Sequence, residues 1–279
     1  MTAAPALALV VRNGSHRLEP LVENLLAQDP RPTISVLDDH STDATGHVLD
    51  RLARTHGEVR VRRTEARVGL VEAFRRAAAL VRELHPDADL FAWVCGDDEP
   101  DPDWLGPLVR ALRRRRERVA ALPSDTGPPL VIRDVAAPAR RAALALAHRW
   151  PPLPTGIVVR LDALPTAGGV RSVGAPAAVL GAELALAGEL VTIDHCRYQR
   201  GPWIAGGLTE VYPDGIPAAA LLPPRVAAMV TLSRHHGVGG AVLACELRDV
   251  MAAGRRRARG WRPRTAPSPT PGRLPSLGR

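Results

Sequence analysis

Lysine is absent from the sequence, so all 37 basic side chains are arginine. The chain has 279 residues and a formal net charge of +8, and it is rich in alanine and proline. This bias is typical of GC-rich coding in bacteria, so the basic charge is weak evidence for nucleic-acid binding. Aromatic residues, which stack on the bases of single-stranded nucleic acids, make up only 3% of the chain. We therefore do not expect nucleic acid as a partner.

Cysteine is scarce and long apolar runs are missing. Cys95, Cys196 and Cys245 are odd in number, far apart and without metal-ligand spacing, which predicts free thiols and a cytoplasmic location. No apolar run reaches the ~18 residues expected of a membrane-spanning helix, since prolines and an arginine interrupt 216–232. The N-terminal MTAAPALALVVRN lacks a basic n-region, so we interpret it as a first strand and not as a signal peptide.

Strand and helix signals alternate through residues 1–122. Short apolar runs predict buried strands, and apolar residues at helical spacing predict amphipathic helices between them. The predicted strands are 6–11, 33–37, 58–61, 90–94 and 119–122, and two of the predicted helices are 69–84 and 103–115. Strands separated by helices imply right-handed crossovers, hence an α/β fold with a mostly parallel sheet flanked by helices.

The rest of the chain is less regular. We predict that residues 123–215 complete the same domain, with strands at 156–160 and 190–193 and a helix at 176–187. Residues 216–253 are predicted to be a helical extension. Residues 254–279 are rich in Arg, Pro, Gly and Ser, which predicts a disordered basic tail. Its arginines suggest peripheral contact with anionic lipids at the inner face of the membrane.

Acidic side chains gather where two of the predicted strands end. Asp38 and Asp39 follow the second strand, and the stretch CGDDEPDPDWL, residues 95–105, follows the fourth. In sheets of this type, ligands bind at the carboxyl ends of the strands. The carboxyl groups of Asp97 and Asp98 are therefore expected at the ligand-binding edge.

Two interpretations of the acidic stretch remain open on chemical grounds. Clustered carboxylates repel one another unless they are solvated or neutralised. The first interpretation is a solvated turn in which Asp103 caps the following helix. The second is a divalent metal site, because Mg²⁺ or Mn²⁺ commonly joins one or two carboxylates to substrate phosphates.

Four motifs, taken in order, resemble the nucleotide-binding half of family 2 glycosyltransferases, which have the GT-A fold. They are Asn13 with a helix ending in Leu26-Ala27-Gln28, then VLDDHSTDAT at 36–45, then Arg67-Val68-Gly69, and finally FAWVCGDDEPDPDWL at 91–105. Each motif alone is common, but their order and spacing over residues 7–105 are specific.

The resemblance implies transfer of a sugar from a UDP- or dTDP-sugar to an unknown acceptor, with inversion and with Mn²⁺ or Mg²⁺. It implies that Asp39 accepts the ring N–H of the pyrimidine, that Val10 approaches the base and that Arg67 lies near the diphosphate. It also implies that Asp97 contacts the ribose or the metal and that Asp98 is the main metal ligand. The coding bias suggests a role in bacterial polysaccharide or natural-product glycosylation.

The second half resembles the family less and departs from it at one position. In the family, a carboxylate near the start of the helix that precedes Gly188 serves as general base, and Ala177 stands there. Glu183 is six residues further on, about 600° around the helix, so it faces elsewhere. His195 is the candidate base, since imidazole titrates near neutral pH.

Alternatives to His195 remain open. The acceptor could bring an already ionised nucleophile, or the protein could have lost transfer and act as a non-catalytic nucleotide-sugar-binding or partner-binding protein. A nucleotidyltransferase is disfavoured because no Gly-rich phosphate loop follows the first strand. The Arg-rich run 110–118 is best interpreted as a solvated helix face, and His235–His236 lacks a spaced third metal ligand.

Overall fold

The computed structural model describes residues 3–126, 129–133, 135–148, 150–151, 153–164, 170, 176–201 and 224–245. The strands are β1 Ala6–Val11, β2 Thr33–Asp38, β3 Val59–Arg63, β4 Leu90–Cys95, β5 Glu99–Pro100, β6 Arg118–Pro123, β7 Val131–Ile132, β8 Val158–Arg160, β9 Glu189–Ile193 and β10 Tyr198–Gln199. The α-helices are α1 Ser15–Leu26, α2 Thr45–Thr55, α3 Leu70–Leu84, α4 Leu105–Arg114, α5 Pro138–Ala147, α6 Pro176–Ala187 and α7 Pro224–His236.

One sheet of eight strands runs through both halves of the chain, in the order β3-β2-β1-β4-β8-β6-β9-β7. Strands β1 to β4 pair in parallel, whereas β8 is antiparallel to both of its neighbours, β4 and β6. The predicted α/β fold with a mostly parallel sheet is confirmed. A separate pair, β5 with β10, was not predicted and connects the two halves a second time.

The central strand β1 is buried along its whole length, because helices cover both faces of the sheet. Leu7 and Leu9 belong to a core cluster with residues of α1, α2 and α4. Ala6 and Ala8 belong to the opposite cluster, which contains residues of α3. This two-sided burial explains why the strand sequence is apolar throughout and does not alternate.

Helix α6 is buried on nearly every side, and residues 176–185 are all buried. It contacts β6 and β9 of the sheet on one side and α5 and α7 on the other. A helix that is apolar all round must lie inside the protein. The sequence of α6, mostly alanine, leucine and valine, therefore explains its position between the sheet and an outer layer of two helices.

The expectation that Asp103 caps helix α4 is wrong. Asp103 is exposed, and the first amide of the helix, at Leu105, donates instead to the side-chain oxygen of Gln28 at 2.9 Å. The amide nitrogen of Gln28 donates to Asn24 Oδ1 at 3.0 Å and to the carbonyl of Asp101 at 2.9 Å. Gln28 is 2% exposed, so one buried side chain holds the acidic turn against α1.

Beyond the sheet the structure describes residues 224–245, and the extent of the predicted helical extension stays a prediction. Helix α7 is followed by a second helical stretch at 239–245. The remainder of 216–253, together with the predicted tail 254–279, lies outside the described residues. In the part of the chain that the structure describes, no helix is both long enough and apolar enough to cross a membrane.

Replacing Gln28 by alanine should destabilise the fold by about 2 kcal/mol. The substitution leaves a buried N–H and a buried carbonyl without partners, and each such group costs roughly 1–3 kcal/mol. Urea denaturation measures the change, with Gln199→Ala as the matched control because Gln199 is exposed. Equal unfolding free energies for the two variants would contradict this role for Gln28.

Candidate functional site

The two acidic groups lie on either side of the end of β1. The amide of Asp39 donates to the carbonyl of Val11 at 2.9 Å, and the amide of Gly96 donates to the carbonyl of Val10 at 2.8 Å. Both turns therefore leave the sheet beside the same strand. This is the carboxyl edge of the parallel strands, where α/β proteins bind ligands.

The HSTDAT segment fastens the turn after β1. Asn13 has a left-handed backbone, with φ of 52°, and its Oδ1 accepts the amide of Thr42 at 2.9 Å. The carboxylate of Asp43 accepts the hydroxyls of Ser15 and Thr45. Burial would raise the pKa of Asp43, but these hydrogen bonds, with those from the Thr45 and Ser15 amides, outweigh it and lower the pKa to about 2. The motif thus stabilises the loops around the site.

The carboxylate of Asp39 holds the loop that precedes α3. Its Oδ1 accepts the amide of Val68 at 2.7 Å, and its Oδ2 accepts the amide of Gly69 at 3.2 Å. Gly69 has φ of 78°, a conformation that favours glycine. Asp39 is only 4% exposed. Because each carboxylate oxygen has two lone pairs, it can still accept a further donor.

Asp98 is the most buried carboxylate of the acidic turn, at 3% exposed. Its Oδ2 accepts the amide of Cys95 at 2.8 Å and the hydroxyl of Tyr198 at 2.6 Å, and its Oδ1 accepts the amide of Gly201 at 3.0 Å. Burial raises the pKa of Asp98 to about 6, although these three hydrogen bonds oppose the rise. This strand-end carboxylate is therefore part of the packed interior.

Asp97 is half-buried and lies at the surface of the turn, one residue before Asp98. The backbone of Gly201 packs directly against its carboxyl group, because a Cβ at position 201 would overlap the Asp97 carboxyl carbon and oxygen. Asp97 is nevertheless the more exposed of the two adjacent aspartates. Glu99 is exposed and lies further along the turn.

The oxygen donors of this turn fit a divalent metal that shares its ligands with a substrate. Among the described residues, no group of three His, Cys, Asp or Glu side chains is arranged to hold a metal ion. Mg²⁺ and Mn²⁺ take carboxylate oxygens, and Mg²⁺ usually binds through one or two carboxylates plus substrate phosphates and water. Asp97 provides such an oxygen donor.

The remaining candidates lie at different depths. Val10 is 4% exposed and belongs to the core cluster beneath the edge. Arg67 is half-buried in the loop that Asp39 holds. His195 is exposed in the turn after β9, with a left-handed φ of 61°. Their assigned roles at the base, the diphosphate and the acceptor stay predictions.

The start of α6 offers no acid–base group. Ala177 is 0% exposed, so this position is part of the packed interior. Glu183 points to the outer helical layer, where its Oε1 lies 3.0 Å from His236 Nε2 on α7. The expectation that Glu183 faces away from the position of Ala177 agrees with this contact.

Sequence reasoning missed the segment that follows β9. Tyr198 and Gly201 reach the acidic turn from about 100 residues further along the chain. Nearby, the guanidinium of Arg200 donates to the carbonyl of Thr155 at 2.8 Å and lies 3.4 Å from Asp125. In the sequence, Tyr198, Arg200 and Gly201 follow a strand closely. This pattern does not indicate that they contact the acidic turn.

A cleft of about 550 Å³ opens between β3 and α3, beside the loop 64–68. Its lining includes Leu37, Leu80 and Val68. Two of its arginines are engaged in ion pairs, Arg62 with Glu83 and Arg76 with Glu72. Neither Asp39 nor Asp97 lines it, so we do not assign the donor to this cleft.

The first half of the chain is similar to a known protein family. Residues 7–128 match the model of the family described as glycosyl transferase family 2. No curated protein sequence matches the chain.

Solved structures match over most of the chain. S. aureus TarS 1–349 is 14% identical, with a TM-score of 0.56, over 92% of this chain and 74% of TarS 1–349. The mannosyltransferase PcManGT from Pyrobaculum calidifontis, in complex with GDP-Man and Mn²⁺, is 19% identical with a TM-score of 0.54, over 92% and 81% of the two chains. Glucosyl-3-phosphoglycerate synthase from Mycobacterium tuberculosis, with Mn²⁺, UDP and glucosyl-3-phosphoglycerate, is 16% identical with a TM-score of 0.50, over 83% and 79%.

The architecture is therefore that of the GT-A glycosyltransferases. Residues 7–128 are similar to the glycosyl transferase family 2 domain. The resemblance found in the four sequence motifs is confirmed. The metal, the acceptor, the cytoplasmic location and the lipid contact stay predictions.

Proposed function

We propose that the protein transfers a sugar from a UDP- or dTDP-sugar to an acceptor, with a divalent metal held at Asp97. The observation that carries this proposal is the position of the turns that contain Asp39 and Asp97, on either side of the end of β1 at the carboxyl edge of the sheet. In this proposal Asp39 binds the nucleobase and Asp97 binds the metal that holds the diphosphate. Complexes of TarS with UDP and with UDP-GlcNAc support this donor class by analogy.

Asp97 and Asp98 have different roles in this proposal. A bound Mg²⁺ or Mn²⁺ would stabilise the negative charge that develops on the departing nucleoside diphosphate. Asp97 supplies an oxygen ligand because it is the more exposed of the pair. Asp98 accepts three protein hydrogen bonds and anchors the turn, which moves the main metal ligand from Asp98 to Asp97.

Substituting the two aspartates separately distinguishes these roles. Asp97→Asn should keep the melting temperature of the ligand-free protein, and UDP with Mn²⁺ should no longer stabilise it more than UDP with chelator. A ligand at 100 times its Kd stabilises by about 2.7 kcal/mol, so the loss is easily measured by thermal shift. Asp98→Asn should lower the unfolding free energy by about 2 kcal/mol even with chelator, because a neutral amide cannot replace an acceptor of three buried hydrogen bonds.

Asp103→Asn is the matched control for these variants, because Asp103 is exposed in the same stretch. It should change neither the stability nor the metal dependence. Full Mn²⁺-dependent stabilisation of Asp97→Asn would remove Asp97 as the ligand.

Asp39 recognises the pyrimidine in this proposal while it holds the loop before α3. The ring N–H of uracil or thymine is a donor that a carboxylate can accept, and purine rings of ADP present a different edge. Loss of a charge-assisted hydrogen bond costs roughly 1.5–3 kcal/mol. Selectivity for pyrimidine nucleotides therefore depends on the charge at Asp39.

Asp39→Asn should weaken UDP binding by about one to two decades. Calorimetry measures the affinity in the presence of Mn²⁺. Asp38→Asn is the control, because Asp38 is equally buried but accepts the amide of Ser41 and faces Arg63. If the parent protein binds UDP and ADP with equal affinity, Asp39 does not read the base.

His195 is proposed as the general base, because position 177 carries a buried methyl group and His195 is an exposed imidazole at the carboxyl end of β9. General-base catalysis typically contributes 10²–10⁴-fold. His195→Ala should therefore slow sugar transfer by about a hundredfold at pH 7 and leave UDP affinity unchanged. His235→Ala, an exposed histidine on α7, serves as control.

Transfer by His195→Ala at the parental rate across pH 6–9 would exclude His195. Release of UDP from UDP-sugars without acceptor provides the first screen for active protein. A parent protein that binds donors but neither transfers nor hydrolyses them would favour the non-catalytic interpretation.

A further inference from the structure

The segment 198–201 contacts the acidic turn along its backbone. Strand β10 pairs antiparallel with β5, so that Tyr198 lies opposite Pro100 and Gln199 opposite Glu99. The turn that carries Asp97 and Asp98 is therefore extended by a two-stranded sheet whose second strand comes from the other half of the chain.

Packing fixes the position of the Tyr198 hydroxyl. Tyr198 is 0% exposed, and its ring centroid lies 4.9 Å from that of Trp104. On another side, Gly156 has φ of 78°, and a Cβ there would overlap the Tyr198 ring. The guanidinium carbon of Arg200 lies 5.5 Å from the ring centroid. The Tyr198 ring is thus confined by the Trp104 ring, the Gly156 backbone and the Arg200 guanidinium.

This confined hydroxyl donates to Asp98 Oδ2 at 2.6 Å. The Gly201 amide donates to the other oxygen, Oδ1, at 3.0 Å. Two of the three donors to Asp98 therefore come from the segment 198–201, and only the third, the amide of Cys95, is local. The orientation of the Asp98 side chain depends on that distant segment.

Gly201 also touches Asp97 itself. No side chain fits at position 201, because a Cβ would overlap the Asp97 carboxyl. The same peptide that donates to Asp98 consequently limits the positions available to the neighbouring carboxylate. The segment 198–201 therefore contacts both aspartates: Tyr198 and Gly201 donate to Asp98, and Gly201 packs against Asp97.

We propose that residues 198–201 form a latch that sets the geometry of Asp97, with Tyr198 as a positioning residue for the metal-bound donor. This inference rests on the proposed function, in which Asp97 binds the metal. Tyr198 does not touch the donor. It orients Asp98, and through Asp98 and Gly201 it fixes the carboxylate that does.

The physical basis is the sensitivity of metal sites to the groups that orient their ligands. Loss of such an outer hydrogen bond typically weakens metal affinity 10–100-fold. Because β10 belongs to the second half, the latch also makes donor binding depend on the folding of residues 189–201. A truncated first half would therefore bind metal and nucleotide poorly.

The test measures Mn²⁺ affinity in full-length protein saturated with UDP, by the loss of the free Mn²⁺ signal in electron paramagnetic resonance. Tyr198→Phe removes only the hydroxyl and should weaken Mn²⁺ binding about tenfold, while UDP affinity in chelator is unchanged. Gly201→Ala places a methyl group against Asp97 and should weaken Mn²⁺ binding at least as much.

Two control variants separate positioning from general destabilisation. Trp150→Phe removes the hydrogen bond from Trp150 to the carbonyl of Ala145 and should lower stability without changing Mn²⁺ affinity. Gly57→Ala adds a methyl group where nothing lies within 4 Å and should be neutral in both measurements.

The outcomes are distinct. Unchanged Mn²⁺ affinity in Tyr198→Phe and Gly201→Ala, with a parent protein that binds UDP and Mn²⁺ together, would overturn the latch and leave the proposed function intact. A parent protein without Mn²⁺-dependent UDP binding would overturn both. Weaker Mn²⁺ binding in the two latch variants but not in the controls supports the latch.

Discussion

A carboxylate with a pKa raised by burial to about 6 stays in the interior only if its surroundings supply hydrogen-bond donors. Asp98 obtains three, two of them from Tyr198 and Gly201. Desolvation of an unpaired carboxylate costs several kcal/mol, so the acidic turn and the segment after β9 must form together. The geometry of the acidic turn at the carboxyl edge therefore depends on both halves of the chain and not on the first half alone.

The strand order shows how the second half of the chain is brought next to the acidic turn. β8 lies between β4 and β6 and pairs antiparallel with both. Thr155 and Gly156, which precede β8, lie beside Arg200 and Tyr198. The second half thus enters the sheet next to the strand that ends in the acidic turn. Contacts made by the β8 region and by β10 then enclose the Tyr198 ring from two sides.

Much of the first half could be predicted from the sequence, because its signals are local. Apolar runs located β1 and β4, helical periodicity located α3, and the positions of Asp39 and Asp97 at strand ends followed from the parallel order. The cap of α4 by Gln28 and the hydrogen bond from Tyr198 to Asp98 could not be predicted. Each joins residues more than 70 positions apart, and neither leaves a periodic or spaced pattern in the chain.

The burial of helix α6 is the reason why no carboxylate for a general base could be identified at Ala177. Residues 176–185 are all buried between the sheet and the outer helices, so any carboxylate at Ala177 would need a partner inside the core. The only buried carboxylate of this helix, Glu183, faces the opposite way and meets His236. The proposed base, His195, lies instead in the turn after β9 at the carboxyl edge, where its side chain is exposed.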